Sequence, residues 1–318
     1  MAHTVFVDWG TTNFRAYLVA PSGTVVACKG SAEGVKSATG RHAEILESHV
    51  RDWIQNHDID AIACAGTIGS ELGWRDVPMI DAPAGLEHVA RSLQPLTVPG
   101  LPPIWIIPGV CQRDNPERPG MMRGEEVILF GCLARSGLDS GLFCCPGTHS
   151  KWVTVEDGMI CDIQTVMTGE CFDLFRTGSV LARSLSGWSG DIDPAWFAKG
   201  VGTAMDVANP LQSAFFVRAL HVQGRLPTPD ARASYLSGLL IGAEVRGMAP
   251  GTGRVTIVAP AKLVSLYAQA CGVVGFACDT VDDEACFVAG ARAVLRMHGQ
   301  SMLGPSNHRL QHTPRSSS

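Results

Sequence analysis

Two turns of similar composition, about half a chain apart, constrain this sequence more than any other feature. The first is Asp8-Trp9-Gly10-Thr11-Thr12-Asn13 and the second is Pro146-Gly147-Thr148-His149-Ser150-Lys151. Each follows a short apolar run, Thr4 to Val7 and Gly141 to Cys145. Each precedes another, Phe14 to Val19 and Trp152 to Val155, so both read as hairpin tips. Glycine lets such a turn bend with φ > 0 and approach a ligand closely. Successive backbone N–H groups then form a concave anion site, to which Thr and Ser hydroxyls add donors. One such turn is an ordinary hairpin. Two, each opening a similar half, suggest two half-molecules gripping one polyphosphate.

The rest of the chain follows the same division. Residues 4–29 read as three strands in a meander, residues 41–56 as an amphipathic helix, and Ile59 to Ala65 as a strand ending in the loop Gly66-Thr67-Ile68-Gly69-Ser70. A helix over 83–93, a proline-rich connection from Pro95 to Pro103, a buried strand at 104–107 and a helix over 123–135 complete the first half. The second half opens with three strands over 141–165. Helices follow near 171–185, 194–206 and 210–223, and another after Thr228-Pro229-Asp230, where Thr228 caps and Pro229 takes the first helical position. Strand, helix, strand and helix follow at 254–259, 261–272, 276–281 and 283–298. The expected fold is α/β: two domains, 1–139 and 140–298, each with a mixed sheet, a cleft between them, and a disordered tail over 299–318.

Composition narrows the function. The chain is 46% hydrophobic and 17% charged, with a formal net charge of −5 and no long Lys/Arg run. Neither nucleic acid nor a membrane surface is expected as partner. The N-terminus enters a strand directly, so no signal peptide is expected, and no apolar run has the length of a membrane helix. The 11 cysteines are scattered without a C-x-x-C pair, which fits buried reduced thiols in a cytoplasmic protein.

The duplicated meander with its two Gly-Thr turns resembles the actin/Hsp70/hexokinase superfamily, whose domains are ribonuclease H-like. Within it, six stretches are similar to the 2-dehydro-3-deoxygalactonokinase family. They are Asp8 to Arg15, the Gly-x-Ile-Gly-Ser loop at 66–70, Met122-Arg123-Gly124-Glu125-Glu126, Pro146 to Trp152, Met167-Thr168-Gly169-Glu170 and Tyr235 to Gly242. The resemblance implies an ATP- and Mg²⁺-dependent kinase that phosphorylates the 6-hydroxyl of 2-dehydro-3-deoxy-D-galactonate in D-galactonate degradation. The sequence departs from the family pattern at Thr67, where Met is expected, at Gly178, where His is usual, and at Ala259-Pro260, where a Gly opens the turn near adenine. Two rivals are a kinase of this fold acting on another sugar acid or sugar, and a non-kinase ATP-driven clamp of the actin/Hsp70 type.

Phosphoryl transfer needs a phosphate cradle, a cation and a group that accepts the hydroxyl proton. With this resemblance, Asp8 is the expected Mg²⁺ residue, holding the ion through water; otherwise it is a turn-capping Asp. Gly10, Thr11, Thr12 and Asn13 are expected on the phosphates from one side, and Gly147, Thr148, Ser150 and Lys151 from the other. Arg15 either reaches the cleft or is a solvated strand residue. The base belongs at the start of the helix after the first domain's last strand, at Glu125 or Glu126. An acidic first turn complementing the helix dipole is the alternative for either. Arg123 is a candidate clamp for the substrate carboxylate. Thr67, Gly69 and Ser70 are candidates for the sugar-acid hydroxyls, and Glu170 for contact with substrate or for orienting Lys151. The oligomeric state is not legible.

Overall fold

A computed structural model describes residues 2–207, 209–248 and 253–303. The first half runs β1 (His3–Trp9), β2 (Phe14–Val19), β3 (Val25–Ser31), α1 (Val35–Ala38), α2 (His42–Asn56), β4 (Ile59–Ala65), a 3-10 turn at Thr67–Gly69, β5 (Ile80–Asp81), α3 (Leu86–Arg91), β6 (Gln94–Leu96), β7 (Ile104–Ile106), β8 (Val110–Cys111), β9 (Met121–Met122) and α4 (Glu125–Ser136). The second runs β10 (Gly141–Cys145), β11 (Ser150–Glu156), β12 (Met159–Val166), α5 (Thr168–Gly178), α6 (Ala182–Leu185), α7 (Pro194–Asp206), α8 (Pro210–Val222), α9 (Pro229–Met248), β13 (Arg254–Val258), α10 (Ala261–Val274), β14 (Ala277–Val281) and α11 (Asp283–Leu303).

The two main sheets share one plan. Their orders are β3-β2-β1-β4-β7-β6 and β12-β11-β10-β13-β14. In each, an antiparallel meander is joined through its first strand to two parallel strands. Central strands are covered on both faces, so Val5, Phe6 and Val7 of β1 are all buried instead of alternating. On the outer face of the first sheet, Ile45, Leu46, Val50 and Trp53 of α2 pack with Val5, Val7 and Trp9. The inner faces merge: Phe6 and Tyr17 share one core with Phe143, Cys145 and Val153 of the second sheet.

That shared core contains α4 and α11, which lie backbone against backbone. A Cβ placed on Gly131 would come 1.7 Å from the Cys286 carbonyl oxygen, and one on Gly290 1.9 Å from that of Val127. The halves are also stitched along β12. Ala84 and Ile160 exchange both backbone hydrogen bonds, at 3.1 and 2.9 Å. The Gln112 amide accepts from the Ile163 N–H and donates to Asp162, both at 2.9 Å.

The expected elements form, with differences that have physical causes. The helix expected over 83–93 is confined to α3. Gln94–Leu96, placed in a connection because of Pro95, is instead an edge strand, where a missing N–H is tolerated. The small sheet β5-β8-β9 was not expected. The helix near 171–185 is two helices, with Ser179 between them as the C-cap of the first. Thr228 does cap α9, its Oγ1 accepting from the Ala231 N–H at 3.0 Å. The final helix continues to Leu303, so 299–303 is helical, while 304–318 lies outside the described residues. The cysteines are free and seven are buried. Among the described residues, no helix is long and apolar enough to cross a membrane.

Candidate active site

Both turns are held by the start of a helix that follows the meander. At the first, Gly10 closes the turn by donating to the Asn13 carbonyl, and the N–H groups of Gly34, Val35 and Lys36 bond the carbonyls of Thr12, Gly10 and Thr11. A Cβ on Gly34 would sit 2.2 Å from the Thr12 backbone, so only glycine allows this approach. At the second turn, the Glu170 N–H bonds the Thr148 carbonyl at 2.9 Å. A Cβ on Gly169 would meet the Gly147 oxygen at 2.4 Å. The repeat legible in the two turns thus extends to their clasps.

Asp8 stands at the end of β1, directly opposite Arg15 on β2. The Arg15 guanidinium bonds Asp8 at 2.9 Å and approaches Asp283, at the start of α11, at 3.7 Å. Arg15 therefore links carboxylates from distant parts of the chain. Burial raises the Asp8 pKa, the Arg15 charge opposes the rise, and Asp283 adds to it. Burial likewise raises that of Asp283.

The two acids that open α4 have different surroundings. Glu126 is fully buried, and both its oxygens accept from the Gly124 N–H, at 2.9 and 2.8 Å. Burial, helped by neighbouring Glu125, pushes its pKa up to about 8. Glu125 accepts from the Arg123 N–H at 3.1 Å. Burial raises its pKa, the Lys151 charge from the second half lowers it, and Asp8 raises it. Asp8, Glu125 and Lys151 are therefore electrostatic neighbours. Lys151 is 7% exposed, with Nζ on Thr165 at 3.2 Å. It is not a surface residue.

Glycines allow these strand ends to crowd together. Gly66 (φ +99) ends β4, and a Cβ there would lie 2.8 Å from the Trp9 oxygen. Gly124 (φ +107) abuts Gly66 and carries the chain into α4. Arg123 lies against Gly69 and donates to the Val77 carbonyl at 2.9 Å, with Asp76 at 3.7 Å. Its Nη1 is buried without a hydrogen-bond partner.

Three of the expected site residues are placed differently from the sequence reading. Ser150, expected on phosphate, is fully buried, with its hydroxyl 2.8 Å from Tyr267. Glu170, expected near substrate or Lys151, belongs to the second turn, where its carboxylate meets His149 at 2.5 Å. Thr67, expected on the sugar acid, shares a hydrogen bond of 3.1 Å with Thr11 of the first turn. Ser70 closes its own turn by donating to the Thr67 carbonyl at 2.7 Å. Asp283 and Thr165 were not singled out from sequence. Asp283 carries only the weak signal of an acidic first helical turn, and Thr165 sits in an ordinary strand pattern.

Among the described residues, no three His, Cys, Asp or Glu side chains converge on a metal position. An ion such as Mg²⁺ keeps waters and takes one or two protein carboxylates, and Asp8 beside the first turn offers one.

The chain is similar to known proteins over most of its length. The 2-dehydro-3-deoxygalactonokinase of Escherichia coli (strain K12) is 34% identical over 297 residues, covering 92% of this chain and 97% of the relative. A crystal structure from Sinorhizobium meliloti, of a protein assigned to the same enzymes, superposes with TM-score 0.81 at 34% identity, covering 92% of this chain and 98% of that one. The activator of 2-hydroxyisocaproyl-CoA dehydratase from Clostridium difficile shares the fold alone, with TM-score 0.51 at 10% identity over 96% and 98% of the two chains. The family model described as 2-keto-3-deoxy-galactonokinase matches residues 8–294, nearly the whole span that carries the two turns, both clasps and the acids of α4, and the chain belongs to that family.

Proposed function

We propose that this chain is an ATP- and Mg²⁺-dependent kinase that phosphorylates the 6-hydroxyl of 2-dehydro-3-deoxy-D-galactonate, a step of D-galactonate degradation. The observation that carries the reading is the placement of Glu125. It opens a helix of the first half, is buried, and feels the charges of Lys151 from the second half and of Asp8 from the first turn. Family membership supports the reaction class.

In this reading the backbone N–H groups and hydroxyls of Gly10 to Asn13 hold the phosphates from the first half. Gly147, Thr148 and Lys151 hold them from the second, with His149 at the same tip. Asp8 would hold a hydrated Mg²⁺ through water, and the ion would supply positive charge that offsets the charge developing on the transferred phosphoryl group. The neutral loop at 66–70 faces the acceptor, and Arg123 offers its unpartnered Nη1 to the carboxylate. Glu125 accepts the proton of the attacking hydroxyl. Its raised pKa suits this role, because a base works best with proton affinity near the working pH. Glu126 is engaged with its own helix start and stays out of the chemistry.

The test is ATP turnover with Mg²⁺ and purified 2-dehydro-3-deoxy-D-galactonate. Glu125→Gln should lose ~10²–10⁴-fold in kcat while still binding ATP, and Glu126→Gln should not. No turnover by the parent with this acceptor would overturn the substrate assignment. The second reading is another sugar acid, since Thr67 stands in the loop where the family pattern has Met. A panel of six-carbon acids separates the two.

A further inference from the structure

Beneath the second turn lies a buried carboxylate that the chemistry above does not use. Glu244, on α9, is 4% exposed and surrounded by side-chain donors. The Trp152 indole N–H donates to one oxygen at 2.8 Å and the Tyr267 hydroxyl to the other at 2.7 Å. The Ser150 hydroxyl in turn donates to the Tyr267 oxygen at 2.8 Å, which leaves the Tyr267 proton for the carboxylate. Burying a carboxylate is costly unless its lone pairs are satisfied, and here donors from β11 and α10 meet one oxygen each.

Those segments frame the turn. Ser150 and Trp152 begin β11, the strand that leaves it. Thr168 begins α5 and is followed by Gly169 and Glu170, whose backbones clasp Gly147 and Thr148. Tyr267 belongs to α10, the helix after the Ala259-Pro260 turn. An apolar side chain at 244 would fill space without fixing direction. A carboxylate with directed bonds sets the mutual orientation of β11 and α10.

We propose that Glu244 is the positioning residue of the phosphate-binding half: it holds β11, the strand that leaves the second turn, and α10 in register for ATP without touching the nucleotide. This rests on the reading of the second turn as a phosphate site. Thr67, Arg123 and Glu125 stand on elements of the first half, so the effect of Glu244 is confined to the nucleotide.

The experiment compares Glu244→Gln, Tyr267→Phe and Thr148→Val with the parent, measuring kcat, KM for each substrate, and ATP affinity by calorimetry without acceptor. Glu244→Gln keeps the shape and removes the charge. It should raise both KM and Kd for ATP about tenfold, the scale of one charge-assisted hydrogen bond, with acceptor KM and kcat within about twofold. Tyr267→Phe, which removes one donor, should shift ATP affinity in the same direction by less, and it serves if Glu244→Gln does not fold. Equal losses for both substrates and kcat would reduce Glu244 to general scaffolding. So would unchanged ATP affinity in either variant. If Thr148→Val weakens ATP while Glu244→Gln does not, the positioning role fails and the phosphate site stands. If Thr148→Val leaves ATP affinity untouched, the phosphate site itself fails.

Discussion

Replacing Glu126 by Gln should make the protein more stable at neutral pH, by an amount that depends on pH in a defined way. The folded carboxyl has its pKa pushed up to about 8 from 4.5, because it is fully buried beside Glu125. Below pH 4.5 the group is protonated in both folded and unfolded chains and carries no penalty. As pH rises further, the unfolded chain gives up the proton and the folded chain retains it. Unfolding then releases a proton, and stability falls by about 1.4 kcal/mol per pH unit until the folded pKa is passed. Between pH 5 and pH 7.5 the loss is about 3 kcal/mol. Glutamine has no charge to lose, and its carbonyl oxygen can still accept from the Gly124 N–H. Urea unfolding of parent and variant, followed by tryptophan fluorescence from pH 5 to 8.5, measures the difference, in which all other titrating groups cancel. The variant should gain about 3 kcal/mol relative to the parent between pH 5 and pH 7.5 and level off above pH 8. A difference independent of pH would refute the assignment of Glu126 as a buried proton-retaining acid.

Two further outcomes follow from the packing. Arg123→Lys removes a planar fork whose Nη1 is buried and unpartnered; the acceptor KM should rise about tenfold with ATP KM unchanged, as steady-state kinetics would show. Gly131→Ala drives a methyl into the Cys286 carbonyl and should cost ~1–3 kcal/mol in urea unfolding, while Gly202→Ala, with open space around its Cβ, should be neutral or mildly stabilising.

How much of this is legible in the sequence depends on the range of the interaction that fixes each feature. The hairpin tips could be read because glycine and hydroxyl residues interrupt apolar runs within a few positions. The start of α9 could be read because Thr228 caps within its own turn. Strands of two residues, such as Ile80–Asp81 and Met121–Met122, cannot display an alternation and were invisible. Ser150 was misplaced because its hydroxyl partner is Tyr267, 117 positions away. Glu125 and Glu126 are alike in sequence, and only the three-dimensional surroundings separate an acid beside Lys151 from one folded back on Gly124. Arg15 was open between two readings for the same reason, since Asp283 is brought to it by the last helix.

That last helix also bears on how the chain acquires its shape during synthesis. Cys286, Phe287, Ala291 and Val294 of α11 sit in the same core as Phe6 and Tyr17 of the opening hairpin. His298 bonds the Ala90 carbonyl at 2.8 Å, and Arg292 bonds that of Pro21 at 2.7 Å. The first half to leave the ribosome therefore emerges with its inner face uncovered and must wait for residues nearly 300 positions later. Until α11 arrives, Phe6, Tyr17 and Val127 lack part of the apolar surface that buries them in the folded protein. A chain truncated before Asp283 would keep both phosphate-type turns in sequence and still lack the wall on which they are mounted.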